Sequence, residues 1–483
     1  MTNASASRTE SVKLSRRAWG ALLVLCGAIF LDALDVSMIG VALPSIKGSL
    51  HLSTSSLQWV VSAYVLGYGG FLLLGGRAAD LLGRRRVFLI ALAVFVVASA
   101  TGGLATSGTL LIVTRFVKGL SAAFTAPAGL SLITTTFEEG PARNKALAAY
   151  TATGASGFSL GLVFGGLLTE LGWRWALILP APVALLVLVA ALRLIPSTDT
   201  LPRLRGRFDL VGAVGLTTGM LLLVYTLVEA PTVGWGSART LGSLAAVAGV
   251  LGLFAWREQT TASPLIRLGI FRAGAVARAN LAAMALASWI GFQFVVTLYL
   301  QQLRGWSSLQ TGLAIFPAGL LVAVLSPRMV ALIGRVGVTR LAVGGLTSLA
   351  AGYALFLPIG LGSSYFVAML PTFLLGGLGF ALAFGPVNVA ATSGVAAHEQ
   401  GLAGGLINTS FQLGGALVLA VVTAVVNAST TGTSSQSVLD GYHAAIVVPL
   451  IAAALGAVAM VRRPSALSVP AESELEEALE EAA

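Results

Sequence analysis

Apolar residues in this chain gather in long unbroken stretches instead of alternating with polar ones. Each stretch is close to the length that crosses a bilayer, about 20 residues, because the hydrocarbon layer is ~30 Å thick and an α-helix rises ~1.5 Å per residue. Fourteen stretches meet that measure, at residues 18–45, 56–80, 86–104, 107–133, 144–170, 173–195, 209–229, 238–257, 276–302, 308–332, 338–358, 364–390, 400–427 and 441–462. The separators are short, the briefest at Gly108 and Gly172, so no soluble domain is inserted between spans. The pattern predicts an all-α polytopic membrane protein. Residues 1–17 resemble the basic start of a signal peptide, but the apolar stretch that follows is too long and holds two aspartates, so it reads as a retained first helix.

Composition supports the same class. Hydrophobic residues make up 56% of the 483 and charged residues only 10%, where a soluble domain carries roughly 25% charge. A soluble enzyme and a disordered chain are excluded, and with Cys26 the single cysteine so is a disulfide scaffold. No nucleophile elbow, metal-spaced His/Cys set or phosphate-binding glycine loop is present, so neither catalysis, a cofactor nor a metal is expected.

The net charge of +10 suggests a polyanion partner until the charges are placed. Lys and Arg of short loops stay on the cytoplasmic side of a membrane. With the N-terminus inside, 23 of the 29 basic residues fall on that side, among them Arg84, Arg85 and Arg86. Lys47, Arg174, Arg239 and Arg304 fall outside, and Arg115 and Lys118 fall within the membrane. Both termini are thus expected in the cytoplasm, the partner of the basic loops is the lipid bilayer, and no nucleic-acid partner is implied. Residues 463–483 contain six glutamates and read as a solvated acidic tail.

Charge at membrane depth is costly, ~2.5–3.5 kcal/mol on insertion scales, and marks function by default. Asp32 and Asp35 on span 1 and Arg115 and Lys118 on span 4 stand out, each pair spaced i, i+3 and so sharing a helix face. Counting from the outer ends, Asp35 lies roughly 15 Å deep and Arg115 roughly 12 Å, while Asp32 lies roughly 20 Å and Lys118 roughly 17 Å. The depths pair Asp35 with Arg115 and Asp32 with Lys118. Such a cluster either only holds helices together or binds and releases a proton at a carboxylate. His51, His398 and His443 lie in loops or at a membrane edge, which leaves the carboxylates for proton coupling. Spans 9 to 14 hold no acid, since Glu399 and Asp440 are expected in loops.

The stretch Leu34-Asp35-Val36-Ser37-Met38-Ile39-Gly40-Val41-Ala42-Leu43-Pro44 resembles the first-helix signature of the fourteen-spanner drug:proton antiporters of the major facilitator superfamily. Gly76-Arg77-Ala78-Ala79-Asp80-Leu81-Leu82-Gly83-Arg84-Arg85-Arg86 is similar to that superfamily's loop motif between helices 2 and 3. Leu111 to Gly119 resembles the family's helix 4 motif, whose arginine is implicated in proton transfer, except that Lys118 stands where glutamine is usual. Gly157, Gly161, Gly165 and Gly166 resemble the helix 5 antiporter motif, without its usual proline, Leu162 standing there. Gly172-Trp173-Arg174-Trp175 and Gly401 to Thr409 extend the likeness along the chain.

The resemblance implies two six-helix bundles, residues 18–195 and 276–462, joined by residues 196–275 carrying inserted helices 7 and 8. A faint internal echo of the Asp80 loop lies at residues 326–340, around Gly337. It further implies a monomer in a bacterial cytoplasmic membrane that exports small, largely hydrophobic compounds by alternating access, with the proton gradient as energy source. The proton is expected near Asp35, with Asp32 as partner or second site and Arg115 and Lys118 completing the coupling residues, and Gly76, Asp80, Gly83 and Arg84 form the gate. Candidate cavity residues are Gln293, Tyr299, Asn388, Asn408 and Gln412, though an amide in a membrane helix also serves as helix-to-helix glue. A proton-coupled importer is the alternative, and a non-transporting receptor a weaker one.

Relatives that export dications carry further acids deep in the second half, and this chain has none there. With Lys118 added, neutral, zwitterionic or weakly anionic substrates are expected over bis-quaternary dyes. Growth assays check this: strong resistance to a dication that is lost on changing Asp32 or Asp35 contradicts it.

Overall fold

The computed structural model describes residues 16–137, 141–195, 210–261, 269–270, 274–393, 395, 400–430 and 432–461. Among them are fourteen helices long and apolar enough to cross a membrane: α1 Ala18–Leu50, α2 Ser56–Ala79, α3 Arg84–Gly103, α4 Gly108–Thr136, α5 Lys145–Leu171, α6 Trp173–Leu194, α7 Val211–Val233, α8 Ala238–Thr260, α9 Gly274–Leu303, α10 Ser308–Arg328, α11 Val338–Phe356, α12 Tyr365–Thr392, α13 Ala403–Ser429 and α14 Ser435–Val461. The acidic tail 463–483, residues 1–15 and residues 196–209 lie outside the described residues. An even number of antiparallel spans puts the start of α1 and the end of α14 on one side, called here the terminus side, and the opposite side is the far side.

Helix ends depart from the sequence reading where caps and prolines decide them. α1 runs past residue 45 to Leu50 with Pro44 inside it, since neighbouring helices and local adjustment satisfy the backbone groups a proline frees. α14 starts at Ser435, which puts Asp440 on the helix and not in a loop. Its carboxylate is exposed at the far rim and accepts from Gln436 at 2.9 Å, so α9 to α14 stay free of deep acids among the described residues. Gly83 joins α2 to α3 with φ 97° and ψ 123°, and Gly337 precedes α11 with φ 93° and ψ 151°. That left-handed geometry suits glycine alone at little cost. The matching turns turn the faint echo at residues 326–340 into a structural repeat, α2/α3 against α10/α11.

α1 packs chiefly on α5 and α2 on α4, with α3 and α6 completing one bundle, while α9 to α14 form the other. Two seams join the bundles, α2 with α13 and α5 with α10, and these exchange under the repeat. The inserted α7 lies on α2 and α13 together, and α8 packs chiefly on α7.

Small residues bring the paired backbones together. A Cβ at Gly119 or Gly75 would overlap the carbonyl oxygens of Tyr64 or Ala123, across the α2–α4 contact. On α5, a Cβ at Gly157 or Gly165 would fall within 2.6 Å of α1 backbone, at Phe30 and Met38 respectively. On the far side both bundles share one apolar cluster, which includes Ile39, Ile46, Leu57 and Leu111 with Phe292, Val296 and Leu300. On the terminus side the first bundle has its own cluster around Leu25, Phe88 and Leu132, which takes no described residue from α9 to α14. The larger shared apolar cluster thus lies on the far side, while on the terminus side Leu73 of α2 packs on Val276, Ala403 and Leu406 of α9 and α13.

Gly119→Ala forces α2 from α4 and costs about 1–3 kcal/mol. Gly249→Ala on α8, where a Cβ meets nothing within 4 Å, gains slightly from helix propensity. Thermal melting of the purified proteins in detergent checks the contrast, and equal melting of Gly119→Ala and wild type refutes the contact.

Candidate functional site

The Asp35 carboxylate is completely enclosed, and it accepts on Oδ2 from Arg115 Nη1 and on Oδ1 from Lys118 Nζ. Arg115 Nε donates to the Val60 carbonyl on α2 at 3.2 Å. Its guanidinium lies over the Tyr64 ring, 4.7 Å from the centroid. The Lys118 ammonium lies 4.7 Å from the centre of the Phe95 ring on α3. Four helices meet at one carboxylate, and cation–π contact adds to the ion pairs.

The pairing differs from the depth estimate. Arg115 reaches Asp35 as expected, but Lys118 joins it there and does not meet Asp32. The flexible four-carbon stem of a lysine reaches back one turn, and the Phe95 face helps to fix the ammonium there. Asp32, half-buried, instead accepts from the Tyr64 hydroxyl. It borders a small cavity with Ala28, Leu92, Phe95 and Thr125. Enclosed and engaged, Lys118 offers no charge to a substrate, so its part in the expected substrate preference falls away.

The glycines of α5 divide in two directions. Gly157, Gly161 and Gly165 face α1, with Gly161 against the Leu34 carbonyl and Ser37 Oγ on either side of Asp35. Gly166 faces α10 at Ser308 and Leu309, and Gly312 lies against the Leu162 carbonyl. One motif therefore sets the aspartate helix and lines a seam between bundles. Of the gate residues, Gly76 lies 3.7 Å from the Pro127 side chain when given a Cβ, and Arg84 begins α3 beside Gly83. The neighbouring Arg85 donates to the Leu192 carbonyl on α6 at 2.8 Å. Asp80 sits near the end of the α2 helix, and its side chain lies outside the described residues.

The cavity candidates separate. Asn388 and Asn408 line one recess between α9, α12 and α13. Gln293 is buried, its amide 2.8 Å from where a Gly40 Cβ would lie on α1, and Gln412 is buried against Gly69 on α2; both belong to contacts between bundles. Tyr299 is fully buried and donates to the Gly360 carbonyl at 2.8 Å, so it fastens far-side loops.

Two groups escaped the sequence reading. Tyr64 carried a signal, since a mid-span tyrosine needs a partner for its hydroxyl. Glu229 fell at the edge of a span drawn to 229, whereas α7 continues to Val233, and Trp59 Nε1 of α2 donates to its carboxylate at 3.0 Å.

Two repeat-related bundles of membrane-spanning helices with a charged cluster buried inside one of them have the architecture of a membrane transporter. The Major Facilitator Superfamily matches residues 25–419, and the chain belongs to that family. It is 39% identical over 440 residues to the cephamycin export protein of Amycolatopsis lactamdurans, covering 89% of this chain and 90% of that protein. To the puromycin resistance protein of Streptomyces alboniger it is 39% identical over 441 residues, covering 88% and 86%. The solved xylose transporter of E. coli shares the fold at a TM-score of 0.64 and 15% identity, over 94% of this chain and all of that one.

Replacing Asp35 by Asn leaves two buried cations without a counter-charge and destabilises the protein by roughly 3–5 kcal/mol. Lys118→Gln costs less, because Arg115 keeps its carboxylate. Melting curves in detergent give the order, and an Asp35→Asn protein as stable as wild type contradicts the clamp.

Proposed function

We propose that this protein is a proton-coupled exporter of small, largely hydrophobic compounds of the antibiotic class for which its relatives are named. The observation that carries the reading is the pair of acids on α1, Asp35 held by two cations and Asp32 by a hydroxyl. With both oxygens of Asp35 engaged by cations, Asp32 is the carboxylate with room for an arriving proton, next to its small cavity. One proton there changes the cluster from neutral to +1. In a water-poor interior that change is felt strongly by the helices holding the charges, and a group that binds a proton differently in two states biases the equilibrium between them.

The moving bodies are residues 18–195 and 276–462, with α7 and α8 between them. Both termini lie in the cytoplasm of a bacterial cell, as the basic loops require, and the protein acts as a monomer. The larger far-side cluster supports reading this arrangement as the state that faces the cytoplasm. Outward opening parts the far-side cluster, releases substrate and admits a proton to Asp32, with the Gly76–Arg84 loop steadying one state.

Inside-out membrane vesicles test the coupling with puromycin and a cephamycin as probes. Asp32→Asn loses accumulation driven by an acidic lumen, down to the level of vesicles lacking the protein, yet keeps exchange of labelled for unlabelled compound without a gradient. Gradient-driven accumulation that survives in Asp32→Asn sinks the assignment.

A further inference from the structure

Glu170 is the next-to-last residue of α5, at its far-side end. A carboxylate there sits at the negative end of its own helix, where a base is favoured and an acid is not. The last turn of α5 holds no base to offset it. Glu170 finds its compensation on the other bundle. Its Oε1 accepts from the Leu309 N–H of α10 at 3.2 Å, and the Ser307 hydroxyl and the Ser308 N–H act on the same carboxylate. The salt bridges among the described residues are those of Asp35, so for Glu170 the positive end of α10 takes the place of a cation.

The start of α10 leaves room for that cap. Ser307 is the N-cap, its hydroxyl accepting from the Gln310 N–H at 3.2 Å while the Gln310 side chain accepts from the Ser307 N–H at 2.9 Å. This capping box satisfies the third N–H of the helix and leaves the first two open. Glu170 fills that vacancy from across the seam. Leu162, Gly166 and Glu170 follow one another at i, i+4 along one face of α5. A Cβ at Gly166 would lie 2.7 Å from the Leu309 Cα, and one at Gly312 would lie 2.2 Å from the Leu162 carbonyl oxygen, so the carboxylate stands at the far end of a stripe where the two backbones touch. From α10 the polar contacts continue back to the first bundle: the Ser308 hydroxyl donates to Gln301 Oε1 of α9 at 3.4 Å, and Gln301 Nε2 donates to the Val41 carbonyl of α1 at 2.9 Å.

We propose that Glu170 is a latch between the two bundles at the far side. While the far side is closed, the charge of Glu170 is stabilised by the N-terminus of α10. Once the bundles part, it is left with the negative end of α5 alone. A charge held better in one state than in the other shifts the equilibrium toward the first, and here that is the closed far side. The Gln301–Val41 hydrogen bond adds a second, uncharged tie across the same gap. The latch rests on the alternating movement proposed above and is independent of which acid carries the proton.

A buried cysteine on the face that α9 turns to α1 reports parting of the bundles. Thr297 lies on α9 one turn from both Gln293 and Gln301, the residues that reach α1, and is fully buried. Ser99, fully buried on α3 inside the first bundle, reports general loosening instead. Neither hydroxyl has a partner among the described residues, so Thr297→Cys and Ser99→Cys each sacrifice no hydrogen bond. Each is placed in a Cys26→Ser background, and its rate of reaction with a maleimide is measured on the purified full chain in detergent. Glu170→Ala is expected to raise the rate at Thr297→Cys roughly five-fold, the worth of about one helix cap, and to leave the rate at Ser99→Cys unchanged. Glu170→Gln, which keeps an acceptor without the charge, gives a smaller rise at Thr297→Cys alone and decides the matter should Glu170→Ala not fold. An unchanged rate at Thr297→Cys, or an equal rise at both positions, overturns the latch. Labelling needs neither gradient nor substrate, so loss of driven export with this response intact counts against the proton coupling and not against the latch.

Discussion

One carboxylate joins the two close helix pairs of the first bundle at the level of its buried charges. α1 and α5 form one close pair and α2 and α4 another, each drawn together at glycines where a side chain would strike backbone. Between the pairs contact is sparse, and Asp35 spans the gap to Arg115 and Lys118. Burying three charges is costly, and mutual attraction repays it only when every donor and acceptor is satisfied. Here Val60, Tyr64 and Phe95 complete the shells of the two cations. A joint made of charge differs from one made of packed methyl groups in one respect: a single proton can change its strength.

The glycines explain why the charges meet. Gly161 lets α5 reach α1 at Leu34 and Ser37, which flank Asp35, and Gly119 lets α2 reach α4 beside Lys118. Both approaches set the height and rotation of the charged faces to within a turn. The second bundle has the same architecture but no equivalent cluster among the described residues, and carries instead a recess of rings and amides.

Much of this was legible in the sequence. Apolar length alone located all fourteen spans, because a bilayer leaves the backbone few ways to satisfy itself. The four charges were found because charge at that depth is costly enough to stand out whichever role it plays. Their pairing was not, since residue counting fixes the height of a Cα to about a turn, while a lysine side chain spans more than that. Tyr64 was passed over because a tyrosine in an apolar run looks like ordinary packing until its hydroxyl is traced to Asp32. Asn388 and Asn408 were named as cavity residues, but that each ties one amide N–H to the carbonyl four residues back is visible only in coordinates.

The inserted pair α7 and α8 breaks the symmetry in a way that bears on movement. The α5–α10 seam closes by direct backbone approach at Gly166, Gly312 and Gly319. At the other seam Val65 of α2 and Ala416 of α13 share a cluster with Val224 and Val228 of α7, and the Trp59–Glu229 hydrogen bond ties α7 to α2. A seam of small residues lets two helices slide with little change in volume, whereas a third helix wedged across the opposite seam must tilt with one bundle or the other. The hydrogen bond to Glu229 favours α7 staying with α2, because parting them would leave a half-buried carboxylate oxygen without its donor. Under the proposed rocking, α7 parts from α13, where the shared cluster of Val224, Val228 and Ala416 is apolar.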